Sequence, residues 1–197
     1  ITALDHQLAA RFKSGMHQLY SNVLEGIYSG QNLADGLSRQ HQDVLQLLNA
    51  DGVAIVHKKE IKTFGTTPSD AAIEDLVFWL QSKEISELYH VTSLSHLYEG
   101  AEAYAHEASG LLALPVQPED GSFILAFRPE AVQQVSWGGN PNEAITFTPD
   151  KKGYHPRASF QQWQQTVDKQ AVPWKPEELE IAENFRNFVS VFSLSKM

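Results

Sequence analysis

The chain of 197 residues contains no cysteine. Disulfides, zinc–thiolate centres, a cysteine nucleophile and any thioether link to a prosthetic group are therefore excluded. No apolar run approaches the ~20 residues that a membrane-spanning helix needs. Positive charge is scarce as well: 15 Lys and Arg stand against 24 Asp and Glu, for a formal charge of -9, and no basic cluster occurs. That balance argues against nucleic acid as a partner, because phosphate binding needs grouped Lys and Arg. The catalytic signatures are missing too. There is no Gly-x-Ser-x-Gly, no phosphate-binding loop, no dinucleotide fingerprint and no His-Glu-x-x-His. Eight histidines invite a metal reading, but none has ligand spacing, and His57, His90 and His106 read as strand or surface positions. The start, Ile1-Thr2-Ala3-Leu4-Asp5, has neither an initiator Met nor a signal-peptide layout, so a piece of a longer cytoplasmic protein is expected.

What is present suits one soluble domain with a sizeable core, since 42% of the residues are hydrophobic and 20% charged. From about Leu4 to Tyr28 the apolar residues Leu4, Leu8, Phe12, Met16, Leu19, Val23 and Ile27 recur at threes and fours, which predicts a long helix. Gly30 stops it. Asn32 then caps a second helix, with Asp35 at its third position and a face made by Leu33, Leu37, Val44, Leu45 and Leu48.

At Asp51-Gly52 the period changes. Val53–Val56 and Glu60–Phe64, joined around Lys58-Lys59, read as a strand pair. Thr67-Pro68-Ser69-Asp70 reads as a helix start with the Thr67 hydroxyl as cap and Pro68 first in the helix; Ile73, Leu76, Val77 and Leu80 form its inner stripe. A strand over 86–92 and a short helix or irregular crossing over 93–107 follow. Gly110–Val116 and Ser122–Arg128 flank the turn signal Glu119-Asp120-Gly121. Strands in pairs with helices around them predict an α+β domain, an antiparallel sheet flanked by helices. Pro176-Glu177-Glu178 opens a last helix whose Ile181, Phe185, Phe188 and Phe192 form a heptad-like seam.

Between these elements lies a stretch unlike a connector. Residues 137–174 are rich in Gly, Pro and Asn and include Trp137, Trp163 and Trp174. Structureless loops beyond ~12 to 15 residues are uncommon in compact domains unless they are functional. Trp137-Gly138-Gly139-x-Pro141, then Pro156-Arg157-x-Ser159-Phe160, then Pro173-Trp174 resemble the tongue of the PHY (phytochrome-specific) domain of bilin-binding red/far-red photoreceptors. Phe127-Arg128-Pro129-Glu130 is similar to the stretch leading into that tongue.

The resemblance implies one PHY domain over 1–197 with a GAF-like sheet. It would comprise an N-terminal connecting helix over 1–29, a tongue hairpin over 137–174 and a C-terminal signalling helix over 176–197. It implies no catalysis in this chain, although the parent protein would be a sensor, commonly a two-component histidine kinase. A bilin, biliverdin or phycocyanobilin, would sit in an upstream GAF domain, with PAS and GAF domains before this one and an output module after it. Arg157 would reach an aspartate of the GAF domain in one light state and Ser159 would take over in the other. Trp137, Gly138, Gly139, Pro141, Pro156, Phe160, Trp163 and Trp174 would complete the contact. Arg157 suits the role, because a guanidinium presents a planar fork to a carboxylate and stays charged when partly buried.

Phe160, Trp163 and Val167 fall at helical spacing behind Pro156, while the Trp137 arm and Ala144–Thr148 read as extended. A second half balanced between strand and helix is expected. Two other readings remain open from the residues alone. One is a GAF-like sensor that binds a small molecule itself, with His57, Tyr89 and Tyr104 lining the pocket. The other is a dimerisation module in which the terminal helices pack against their copies.

Overall fold

The structure, a computed structural model, describes the backbone of residues 3–131 and 169–195, with side chains for 14–131 and 169–193. Helix α1 spans Ala3–Ser29, and two short helices follow, α2 over Leu33–Arg39 and α3 over His41–Leu47. Strands β1 (Gly52–His57) and β2 (Glu60–Gly65) precede helix α4 (Asp70–Ser82). After strand β3 (Tyr89–Val91), two 3₁₀ turns and the short helix α5 (Ala105–Ala108) lead to β4 (Gly110–Gln117) and β5 (Ser122–Arg128). Helix α6, Pro176–Ser195, is the last described element.

The five strands form one sheet in the order β2-β1-β5-β4-β3, and each described pairing is antiparallel. Both faces of the central strands are covered, which explains why Gly110–Val116 is an unbroken buried run rather than an alternating one. The period of two still sorts the side chains. Val53, Ile55, Leu112, Leu114, Ile124 and Ala126 face α1, α2, α3 and α6 through Val23, Ile27, Leu37, Val44, Leu47, Phe185 and Val189. Ala54, Leu111, Ala113, Phe123, Leu125 and Phe127 face the other way, onto Ile73, Leu76 and Leu80 of α4 and onto Leu94, Ala101 and Tyr104. The sheet is thus the middle of three layers.

The expected α+β architecture is present, with three local corrections. The helix expected from Asn32 to Leu48 is two helices, broken at Gln40 (φ -109°, ψ 29°). The Ser38 hydroxyl bonds the Ala34 carbonyl and the His41 ring meets the Ser38 carbonyl, so side chains take up backbone groups at the break. Asn32 does cap the first of the two, accepting the Asp35 amide at 2.8 Å.

The cap of α4 is Ser69, whose hydroxyl accepts the Ala72 amide at 3.3 Å, and the helix begins at Asp70. Thr66 still donates to the Asp51 carbonyl at 2.8 Å, which carries the strand pairing beyond β2 and leaves Thr67 and Pro68 outside the helix. The strand expected over 86–92 is confined to Tyr89–Val91, the three residues that pair with β4.

The turns follow their chemistry. Lys58 and Lys59 both have positive φ, the backbone that a two-residue hairpin demands. Between β4 and β5 a 3₁₀ turn over Pro118–Asp120 ends at Gly121, whose φ of 77° favours glycine.

Candidate functional site

Residues 130–131, after β5, lie against residues 169–170, ahead of α6. Ala131 donates its amide to the Gln170 carbonyl at 2.7 Å, and Glu130 accepts the Lys169 amide at 2.7 Å. The Lys169 side chain pairs with Glu102, and the Ala171 amide donates to the Thr92 carbonyl at 2.8 Å beside the edge strand β3. Residues 130–131, which follow β5, are therefore held beside residues 169–171.

Arg128, the last residue of β5, is the centre of this root. Its Nε donates to the Asn49 carbonyl at 2.9 Å, and Nη1 to the carbonyls of Val172 (3.0 Å) and Pro173 (2.8 Å). Nη2 donates to Glu178 Oε2 at 3.0 Å. The guanidinium carbon lies 4.2 Å from the centroid of the Trp174 ring, in cation–π contact. Trp174 is itself buried, with its indole N–H donating to the Leu48 carbonyl at 3.0 Å.

Gly110 stands opposite Arg128 in the sheet. A Cβ there would lie 2.7 Å from Ala171 Cβ and 3.2 Å from the Trp174 ring, so glycine leaves the room that the returning segment fills.

Glu178 lies in the first turn of α6 and also accepts the Lys175 amide at 2.8 Å, half of a capping box at the helix start. The Asn49 side chain donates to its other oxygen. Burial works to raise the carboxyl's pKa, but the bonds from Asn49, the Lys175 amide and Arg128 outweigh it, and Glu178 is held below the usual carboxylate range. Asn49 reaches both partners from a left-handed backbone (φ 45°), which asparagine tolerates well.

Of the residues expected to contact a chromophore domain, Trp174 is described, and it anchors the returning segment in this domain's core. Trp137, Gly138, Gly139, Pro141, Pro156, Arg157, Ser159, Phe160 and Trp163 lie outside the described residues, as does the extended stretch expected over Ala144–Thr148. The sequence marks Glu178 only as part of the helix opening Pro176-Glu177-Glu178, and nothing in it marks Asn49. Arg128 was seen only as part of Phe127-Arg128-Pro129-Glu130, although a charged residue at the end of an apolar strand, before a proline, was the available signal.

The small-ligand pocket fares less well. His57 ends β1, with Nδ1 3.3 Å from the Ser122 hydroxyl, whereas Tyr89 is on β3, and β5 and β4 lie between those strands. Tyr104 is buried in the α4-side core, where burial, then Tyr98 and Asp75, push its phenol pKa upward. Tyr89 packs edge-on against Trp79, 6.3 Å between centroids. These three side chains do not line one pocket. Among the described residues no group of three His, Asp or Glu is placed to hold a metal ion, and no helix is long and apolar enough to cross a membrane.

Of the seam expected on the last helix, Phe185 and Phe192 are buried and Ile181 and Phe188 are partly buried. Ala182, Phe185, Val189 and Phe192 are buried in the core, and Phe188 packs at its margin against Tyr20 and Tyr28 of α1.

Comparison with known proteins gives one consistent result. The family model for the phytochrome region (PHY) matches residues 16–196. The chain is 35% identical to the phytochrome-like protein Cph1 of Synechocystis sp. over 162 residues, covering 81% of this chain and 21% of that protein. Cyanobacterial phytochrome A of Nostoc sp. is 31% identical over 90% of this chain and 23% of its own length. The chain thus spans roughly a fifth to a quarter of these relatives. The crystal structure of a bacteriophytochrome from the photosynthetic bacterium R. palustris superposes with a TM-score of 0.70 at 29% identity, covering 98% of this chain and 39% of that one.

Proposed function

The chain belongs to the phytochrome-region (PHY) family, and from that premise we propose that it is the light-signalling domain of a bilin-binding red/far-red photoreceptor. The segment 137–174 acts as the tongue. It contacts an upstream GAF domain that carries the bilin, stabilises the photoproduct, and passes the signal through α6 to a C-terminal output module. Arg157 and Ser159 alternate on a carboxylate of the GAF domain, and Trp137 and Trp163 exchange places as apolar anchors. Catalysis belongs to the output module, in the commonest arrangement a histidine kinase, and the whole protein works in the cytoplasm. Copies pair through the outward faces of the terminal helices.

The observation that carries this reading is the family match across residues 16–196, which includes the arm as well as the domain that holds it. The hydrogen bond between Ala131 and Gln170 supports it, because it holds together the residues that precede and follow the segment. The test is to restore the chain to its natural flanking sequence, load it with biliverdin or phycocyanobilin, and record spectra before and after illumination. Reversible red/far-red conversion that is lost or strongly reduced on replacing 137–168 by a short Gly-Ser linker is the expected result. A restored protein that binds neither bilin, or one whose photocycle ignores the replacement, contradicts it.

A further inference from the structure

One planar group touches three separate pieces of chain at the root of the arm. The Arg128 donors are divided among the carbonyl of Asn49, at the turn before β1, the carbonyls of Val172 and Pro173, and the carboxylate of Glu178 in the first turn of α6. Arg128 and Glu178 side chains are 7% and 12% exposed, so these bonds are largely shielded from water. A pocket against Trp174 needs only an apolar side chain to be filled, and buried ion pairs are weak contributors to net stability. What the guanidinium adds is rigid geometry: its N–H groups cannot move independently, so acceptors bonded to it keep fixed relative positions.

We propose that Arg128 is a positioning residue that makes the returning segment 171–174 and the first turn of α6 one mechanical unit. A rearrangement arriving along that segment is then transmitted to α6. The transmission rests on the light-signalling reading; the joint itself does not.

Both halves are tested by hydrogen exchange on the full photoreceptor loaded with whichever of biliverdin and phycocyanobilin it binds. In darkness, Arg128→Lys keeps the charge but loses the fork. It is expected to accelerate exchange in peptides covering 171–174 and 179–184 by a common factor of about ten or more, as for loss of charge-assisted bonds. Exchange in β1 and α4 should stay as it was. Unequal factors, or a change in one segment alone, overturn the proposal.

Under illumination, the change in exchange at 179–184, normalised to the fraction of photoproduct, should shrink in Arg128→Lys and in Glu178→Gln. A full-sized change in either folded variant refutes the joint. Glu178→Gln conserves shape and carries both arms if Arg128→Lys does not fold. If the unmodified protein does not photoconvert, the light reading fails while the dark measurement still decides the joint.

Discussion

Replacing Arg128 by methionine removes a buried cation and leaves the Asn49, Val172 and Pro173 carbonyls without this donor, with the Glu178 carboxylate at 12% exposure and no counter-charge. Breaking a buried ion pair from one side costs about 3–5 kcal/mol, chiefly because the remaining charge stays desolvated. Glu178→Gln alone keeps the shape and an acceptor oxygen, and the Arg128 cation it leaves retains three carbonyl acceptors and the Trp174 ring, so its cost is lower, about 1–3 kcal/mol. In the double variant no buried charge is stranded. The double variant should therefore be less destabilised than the sum of the two singles by about 1–2 kcal/mol, where independent sites add to within ~0.5 kcal/mol. Urea unfolding reads this directly if the slope m is common to the four proteins. In heating experiments, Arg128→Met alone should lower Tm by about 6–20 °C for a domain of this size. Additive costs, or a cost below ~1 kcal/mol for Arg128→Met, would refute the central role given to this side chain.

Other consequences follow from single contacts. Glu178 is held below its usual pKa, so its contribution to stability is present above the unfolded value of 4.5 and is lost as pH falls through the folded value; acid unfolding of Glu178→Gln should be less pH-dependent in that window. Ser69→Ala should cost about 1 kcal/mol by removing the cap of α4, while Thr67→Ala should stay within ~0.5 kcal/mol, the reverse of the order expected from the Thr-Pro signature. Phe185 is fully buried between α6 and the sheet, and Phe185→Ala should cost about 3–5 kcal/mol in the same urea assay.

Periodicity located most of the scaffold because the core obeys it. Val23 and Ile27 of the first stripe, Ile73, Leu76 and Leu80 of α4, and both strands of the β4–β5 hairpin are buried where the pattern put them. Boundaries were less legible where two signals competed. Thr67 and Ser69 both offer a capping hydroxyl, and the choice depends on a tertiary contact, the Thr66–Asp51 hydrogen bond.

The root of the arm was the least legible feature. Asn49, Arg128 and Glu178 are 79 and 50 residues apart along the chain, and nothing local marks them as partners. Trp174 was picked out by the motif that ends the arm; its burial against Leu48 and Arg128 depends on the fold. Of the seam expected on α6, Phe185 and Phe192 are buried in the core, while Ile181 and Phe188 are partly buried at its margin.

The central question is whether residues 137–174 act as a tongue on a bilin-binding neighbour. The most direct measurement is photoconversion and dark reversion of the restored, bilin-loaded protein with and without Arg157→Ala. The account predicts a nearly unchanged resting spectrum together with a photoproduct that forms in lower yield or reverts faster. A photoproduct of normal yield and lifetime in a folded Arg157→Ala protein would contradict it.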